Sequence, residues 1–213
     1  MRVLHIIASP RGDQSRSQTV ADHFLSHLAN AEVEALDLWA QPLPDLDGGM
    51  LESRYRLING KPVDPAFEAQ WAELRARVDH LLSFDLWLFS TPMWNFGLPY
   101  RLKHYLDLVI QPTMAFTNDA SGAISCHGVD QIAVLIGASA LDIRPGATMA
   151  ALDYQLAHLA QCLKIYFGVS QVLEIRVAPT FGSDTVVAQT MRAARAEAKA
   201  LALSLSSRGG GPN

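Results

Sequence analysis

The chain holds only two cysteines, no run of basic residues and no long apolar stretch, and each shortage removes a class of protein. Cys126 and Cys162 are too few and too isolated for a metal-ligand spacing or a disulfide framework. With 17 Lys and Arg against 21 Asp and Glu, the formal net charge is -4, and the scattered basic residues form no stripe that could track phosphates. That argues against a general nucleic-acid binder. No apolar run reaches the length of a membrane span. The amino end runs straight into Val3-Leu4-His5-Ile6-Ile7, too short and too early for a secretory signal, so a reducing cytoplasm is the expected compartment. The sequence also lacks a Walker Gly-Lys-Ser/Thr, a G-x-G-x-x-G after its first apolar run and a G-x-S-x-G elbow. ATP-binding, classical dinucleotide-fold and serine-hydrolase readings therefore fall.

What is present is apolar content, and it is patterned. At 213 residues with 49% hydrophobic residues, the chain suits one large domain with a substantial core. Val3–Ile7, Val33–Leu38, Leu86–Phe89, Ile132–Ile136 and Val172–Val177 read as five strands, mostly continuous apolar runs of the kind buried in parallel sheets. Helical spacing fills the intervals. Val20, Phe24 and Leu28 mark one helix, and Phe67, Trp71, Leu74, Val78 and Leu81 a second. Leu102, Leu106 and Val109 line a third that starts at Pro99. Met149, Leu152, Leu156, Leu159 and Leu163 form one amphipathic stripe, and Val187, Met191, Ala194, Ala198 and Leu201 mark the last helix. Residues 41–65 read as a long connection rich in Pro, Gly and Asp.

This alternation predicts a flavodoxin-like α/β fold: a doubly wound five-stranded parallel sheet of order 2-1-3-4-5 in three α/β/α layers. A single domain over 1–205 and a disordered Ser/Gly-rich tail over 206–213 complete the expectation. Ligands of such sheets sit beyond the carboxyl ends of the strands, at the switch point between strands 1 and 3.

The two loops at that switch point have complementary chemistry. After strand 1 come Ser9, Arg11, Ser15, Arg16 and Ser17, hydroxyls and cations at a helix start, where free N–H groups and the helix dipole favour an anion. Ser15-Arg16-Ser17-Gln18 also fits an S-x-x-Q capping box, and it is the position after strand 1 that favours a phosphate. After strand 3 come Pro92, Met93, Trp94, Asn95, Phe96 and Gly97, large apolar side chains around one amide. That composition suits a flat ring with a polar edge, served by Asn95 and backbone N–H groups, with Gly97 expected to let the chain turn sharply.

Thr91-Pro92-Met93-Trp94-Asn95-Phe96-Gly97-Leu98-Pro99-Tyr100-Arg101-Leu102-Lys103-His104-Tyr105-Leu106-Asp107 resembles the P-M-(Y/W)-N-F-x-(I/L)-P-x-x-L-K-x-(Y/W)-(I/L/F)-D signature of FMN-dependent NADH-azoreductases, within the NAD(P)H quinone reductase superfamily. Ser9, Ser15 and Ser17 fall where that family carries its phosphate-binding serines, and Leu36 to Pro44 is similar to its D-L-x-x-x-P-(I/L)-P stretch. The resemblance implies an FMN-binding homodimer that takes hydride from NADH or NADPH and reduces quinones or azo compounds in two steps, with no covalent nucleophile. It also implies cofactor contacts from the loop after strand 4, through Gly137 and Ser139, although Gly137-Ala138-Ser139-Ala140 lacks the family's glycine pair. Arg54, Tyr55 and Arg56 are candidates for a lid. Two alternatives stay open at this point: an electron-carrier flavodoxin-like protein, and a family member specialised for one biosynthetic substrate or a regulatory role. Of the remaining polar residues, His5 reads as a core residue, His23 and His27 as a solvated helix face, His104 as a possible substrate contact and Cys126 as part of a loop.

Overall fold

The computed structural model describes residues 1–40, 42–119, 121–128 and 130–208. In chain order the elements are β1 (Arg2–Ile7), α1 (Arg16–Leu25), β2 (Glu32–Asp37), α2 (Gly48–Ile58), α3 (Glu68–Leu82), β3 (Leu86–Pro92) and α4 (Tyr100–Val109). They continue with β4 (Phe116–Asn118), β5 (Ile124–Cys126), β6 (Ile132–Ala138), α5 (Leu156–Phe167), β7 (Gln171–Val177) and α6 (Asp184–Arg208). The main sheet is parallel throughout, in the order β2-β1-β3-β6-β7. With the small β4–β5 hairpin set aside, this is the expected 2-1-3-4-5 order.

Alternation along each strand divides the core between two faces. Leu4, Ile6, Trp87, Phe89, Ala133 and Leu135 join α3, α4 and α5 on one side. Val3, Leu86, Leu88, Val134 and Ile136 join α1 and α6 on the other. Three layers result, and the sheet's carboxyl edge is left open between them.

Four expectations change. Residues 41–65 contain the helix α2, begun by Asp47, whose side chain accepts from Met50 N at 2.9 Å. Its glycines suggest a loop, yet a Cβ at Gly49 would lie 2.1 Å from the Phe67 ring, so that glycine is there for packing. The stripe from Met149 does not form one helix. Asp153 accepts from Gln155 N and Leu156 N at 3.2 and 3.1 Å and starts α5 at Leu156, so Leu152 falls in a short 3-10 turn and Met149 lies before it, exposed. Cys126 belongs to β5 rather than a loop, paired with Phe116 across a hairpin whose turn is tied by Asp119 Oδ1. Finally, α6 continues to Arg208, beyond the expected start of a tail at 206, and 209–213 lie outside the described residues.

Candidate active site

The first loop leaves β1 where Ala8 N still donates to Ser90 O of β3 at 2.9 Å. Ser9, Ser15 and Ser17 follow, all buried. Ser15 is the N-cap of α1: its Oγ accepts from Gln18 N at 3.3 Å and lies 3.2 Å from Ser17 Oγ. Only half of the capping box forms. Ser15 N donates to Gly12 O, and Gln18 Oε1 is buried with no partner. Ser15 thus caps α1 through a side chain that also stands beside Ser17 Oγ, so capping does not exclude the anion-binding reading. Arg11 reaches Gln14 Oε1 at 3.4 Å, and neither Arg11 nor Arg16 enters an ion pair among the described residues.

The second loop leaves β3 through Met93, whose N–H donates to Ala138 O of β6 at 2.7 Å. Trp94 and Gly97 then exchange two backbone hydrogen bonds, at 3.0 and 2.9 Å, around Asn95 at φ 49 and Phe96 at φ 68. Two left-handed residues in a two-residue turn is the type I′ pattern. Asn95 tolerates it, whereas a Cβ makes Phe96 strained by about 1–2 kcal/mol. The sharp turn is thus made by Asn95 and Phe96 and not by Gly97, which keeps an ordinary φ. With Trp94 and Gly97 committed to each other, the N–H groups of Asn95 and Phe96 at the turn have no partner among the described residues.

A cavity of about 290 Å³ joins the loops. Ser9, Arg11, Ser15, Arg16 and Ser17 line one side, and Pro92, Met93 and Trp94 the other, with Ala138, Ala140 and Thr180 between them. A recess of about 250 Å³ continues past Met93 and Ala140 along Asn95, Phe96, Ser139 and Leu141. Eleven of the expected contact residues are brought together here. Gly137 is not among them. It lies in β6 with its Cα against α5, where a Cβ would sit 2.9 Å from both Gln155 Oε1 and Leu156 Cδ2. Ser139 is placed by its backbone, and its Oγ lies 3.6 Å from Met93 Sδ.

Other residues were not legible as part of the site. Thr180, just past β7, donates from N and Oγ1 to Ser139 O at 2.8 and 3.0 Å; its place beyond a strand's carboxyl end was the available signal. Trp39 donates from Nε1 to Ala8 O at 3.1 Å and packs 5.9 Å from Trp94 and 5.4 Å from Tyr100, so it supports Trp94 without itself lining the crevice. Its spacing in the sequence carries no such signal. His104 hydrogen-bonds Pro44 O at 2.8 Å and does not line the crevice. His5 lies under both loops with Nε2 2.9 Å from Ser90 Oγ, and burial pushes its pKa down to about 4, so it is a neutral imidazole near pH 7. Arg54 donates to Gln111 Oε1, and Arg56 to Pro62 O, away from the crevice. A larger groove, about 520 Å³, opens among α2, α4 and α5. It lies off the strand ends and has no cluster of buried hydroxyls, so it is not the anion site.

A family model for the flavodoxin-like fold matches residues 1–202. The FMN-dependent NADH:quinone oxidoreductase of Desulfotalea psychrophila is 32% identical over 208 residues, covering 96% of this chain and 97% of that protein. The chain belongs to this family. The FMN-dependent NADH:quinone oxidoreductase of Nitratidesulfovibrio vulgaris is 35% identical over 201 residues, covering 92% of this chain and 94% of its own. Among solved structures, an FMN-dependent NADH-azoreductase from Bacillus anthracis in complex with FMN aligns with TM-score 0.82, covering 97% of this chain and 100% of that one. At 20% identity that likeness speaks for the fold alone.

The crevice of this family member has residues that fit FMN. Three hydroxyls, each at most 3% exposed, gather beside a helix start and two unpaired arginines. Such an arrangement is costly to bury in an apolar fold and is suited to a phosphate. The wall formed by Met93, Trp94 and Phe96 suits a planar ring.

Proposed function

We propose that this chain is an FMN-dependent NADH:quinone oxidoreductase, with azo compounds as further acceptors, acting as a homodimer in the cytoplasm. One observation carries the reading: the loops after β1 and β3 share a single cavity, with buried hydroxyls on one side and a strained aromatic turn on the other. FMN held there would supply two-electron redox chemistry between NADH and the acceptor.

The chain's part is binding and orientation. Ser9, Ser15 and Ser17, the first N–H groups of α1, and Arg11 with Arg16 would hold the phosphate. Met93, Trp94 and Phe96 would pack on the ring, and Ala138, Ser139 and Ala140 would close the floor. The N–H groups of Asn95 and Phe96, with the Asn95 amide, would meet the polar edge and stabilise negative charge there. No side chain acts as a covalent nucleophile. His5 is sealed beneath the site, and the Cys162 thiol is pushed up in pKa by burial.

The homodimer is supported by exposed apolar side chains. Leu51, Tyr55 and Ile58 project from α2, and Trp94, Phe96 and the neighbouring Tyr100 and Tyr154 are exposed in and beside the ring loop. A shared face would cover them. The nucleotide donor and the free thiols of Cys126 and Cys162 support the cytoplasmic reading.

The test is the visible spectrum of the purified protein, mass identification of the molecule released by heat, and FMN-dependent oxidation of NADH with a quinone. A yellow protein releasing FMN and turning over supports the reading. A colourless protein that neither takes up FMN nor oxidises NADH overturns it. Light scattering at micromolar concentration decides the dimer, and a monomeric mass rejects it.

A further inference from the structure

Behind the ring loop stand three consecutive residues that do not line the crevice. Gln155, immediately before α5, has no solvent exposure. Its Nε2 donates to the carbonyl and the hydroxyl of Thr91, at 3.2 and 3.3 Å, at the end of β3. Its Oε1 has no hydrogen-bond partner among the described residues and faces the notch left by Gly137 of β6. Tyr154 N donates to Phe96 O at 3.1 Å, gripping the strained turn itself. Asp153 seats the segment: Oδ1 holds the N–H groups of Gln155 and Leu156, and Oδ2 accepts from Arg176 Nε and Nη2 at 2.9 and 2.7 Å. Arg176 is bound on its other side by Glu174. A continuous set of polar contacts therefore runs from β7, across the end of β6, to β3 and the turn.

For the fold alone, glutamine is a poor choice at this place. A buried carbonyl oxygen left without a partner is a penalty that a leucine or methionine of similar volume would avoid. What the amide adds is a pair of donors fixed on Thr91, one residue before Pro92 and two before Met93. Strained backbone persists only where its surroundings over-determine it. The turn has three such outside holds: Met93 N on Ala138, Tyr154 N on Phe96, and Gln155 on Thr91.

We propose that Gln155, seated by the Asp153–Arg176 pair, is a positioning residue that fixes the Trp94–Gly97 turn and so aims the Asn95 and Phe96 N–H groups at the polar edge of the flavin. It rests on the flavin reading above. Charge on that edge responds to the aim of its donors, so the residue tunes the flavin's potential without touching it.

Gln155→Leu keeps the volume and removes both donors. In apoprotein, amide exchange at Trp94 N and Gly97 N is expected to speed up at least tenfold while the amides of α1 keep their rates. In the FMN-loaded protein, the midpoint potential moves to more negative values, kcat falls about tenfold and the KM for NADH stays within twofold. FMN and riboflavin affinities fall by the same factor, because the phosphate loop is intact. Faster exchange together with a shifted potential supports the proposal, and either quantity at its wild-type value overturns it. Gln155→Met is the second variant should the leucine protein fail to fold, with the same two readouts. A wild-type control that takes up no FMN overturns the flavin reading instead, while the exchange measurement still decides whether Gln155 holds the turn.

Discussion

The serine loop after β1 is secured from within, whereas the ring loop after β3 is secured from outside. In the first, the decisive bonds span a few residues: Ser15 N to Gly12 O, Gln18 N to Ser15 Oγ, and Ser15 Oγ beside Ser17 Oγ. In the second, a two-residue turn with Phe96 at φ 68 is held by Ala138, Tyr154 and, through Thr91, Gln155. A phosphate site can be built by local chain geometry because a helix start already offers N–H groups and a dipole. Presenting two free N–H groups on an apolar wall requires a conformation that the local sequence resists, so distant elements must impose it.

The sharpest way to break this comparison is to change only the first loop. Ser15→Ala combined with Ser17→Ala removes two hydroxyls, each worth about 1.5–3 kcal/mol against a charged partner. FMN affinity is expected to fall at least about 100-fold by fluorescence titration, with riboflavin affinity unchanged. Equal losses for both ligands would mean that the phosphate is bound elsewhere.

Beneath both loops, His5 joins β1 to Ser90 of β3. An unfolded imidazole takes up its proton near 6.5, but the buried one only near 4, so the unfolded state binds more protons between those values. Stability therefore rises with pH across that window, by on the order of 3 kcal/mol. Urea unfolding at pH 4.5 and 6.5 measures it, and His5→Gln should flatten the difference. An equal pH dependence in that variant would place the titrating group elsewhere.

Two glycines separate packing from turning. Gly137→Ala should cost about 1–3 kcal/mol, because its Cβ would crowd Gln155 and Leu156. Gly97→Ala, with only Trp94 O at 3.8 Å, should stay within about 0.5 kcal/mol. Reversed effects in thermal unfolding would refute the assignment of the turn to Asn95 and Phe96. The smallest contrast is between the loops in the apoprotein. Ser15→Ala should lose about 1 kcal/mol of capping. Phe96→Gly, freed of left-handed strain, should be neutral or gain up to about 1 kcal/mol.

The same contrast explains what could be read from the sequence. Strands announced themselves by runs such as Leu86–Phe89, whose alternate residues face the two cores. The serine loop is legible because the bonds that shape it are local. The helix α2 was hidden because Gly49 reads as a loop residue until Phe67 is known to lie on it. The start of α5 was misplaced because Asp153, not the apolar stripe, decides it. The family position of Gly137 points to the cofactor, while the packing that demands a glycine there, Gln155 and Leu156 at the start of α5, is not legible in the sequence. Trp39 meets Trp94 only through a fold-back onto Ala8 that no spacing in the sequence announces.

The notch at Gly137 has a consequence for descent. A methyl group there competes for one volume with the Gln155 amide and the Leu156 side chain, so the glycine cannot become alanine without strain unless both neighbours give way. Position 155 is freer, because a shorter side chain, or an apolar one of equal length, leaves the notch as it is. Gly137 should therefore stay fixed across descent while 155 varies.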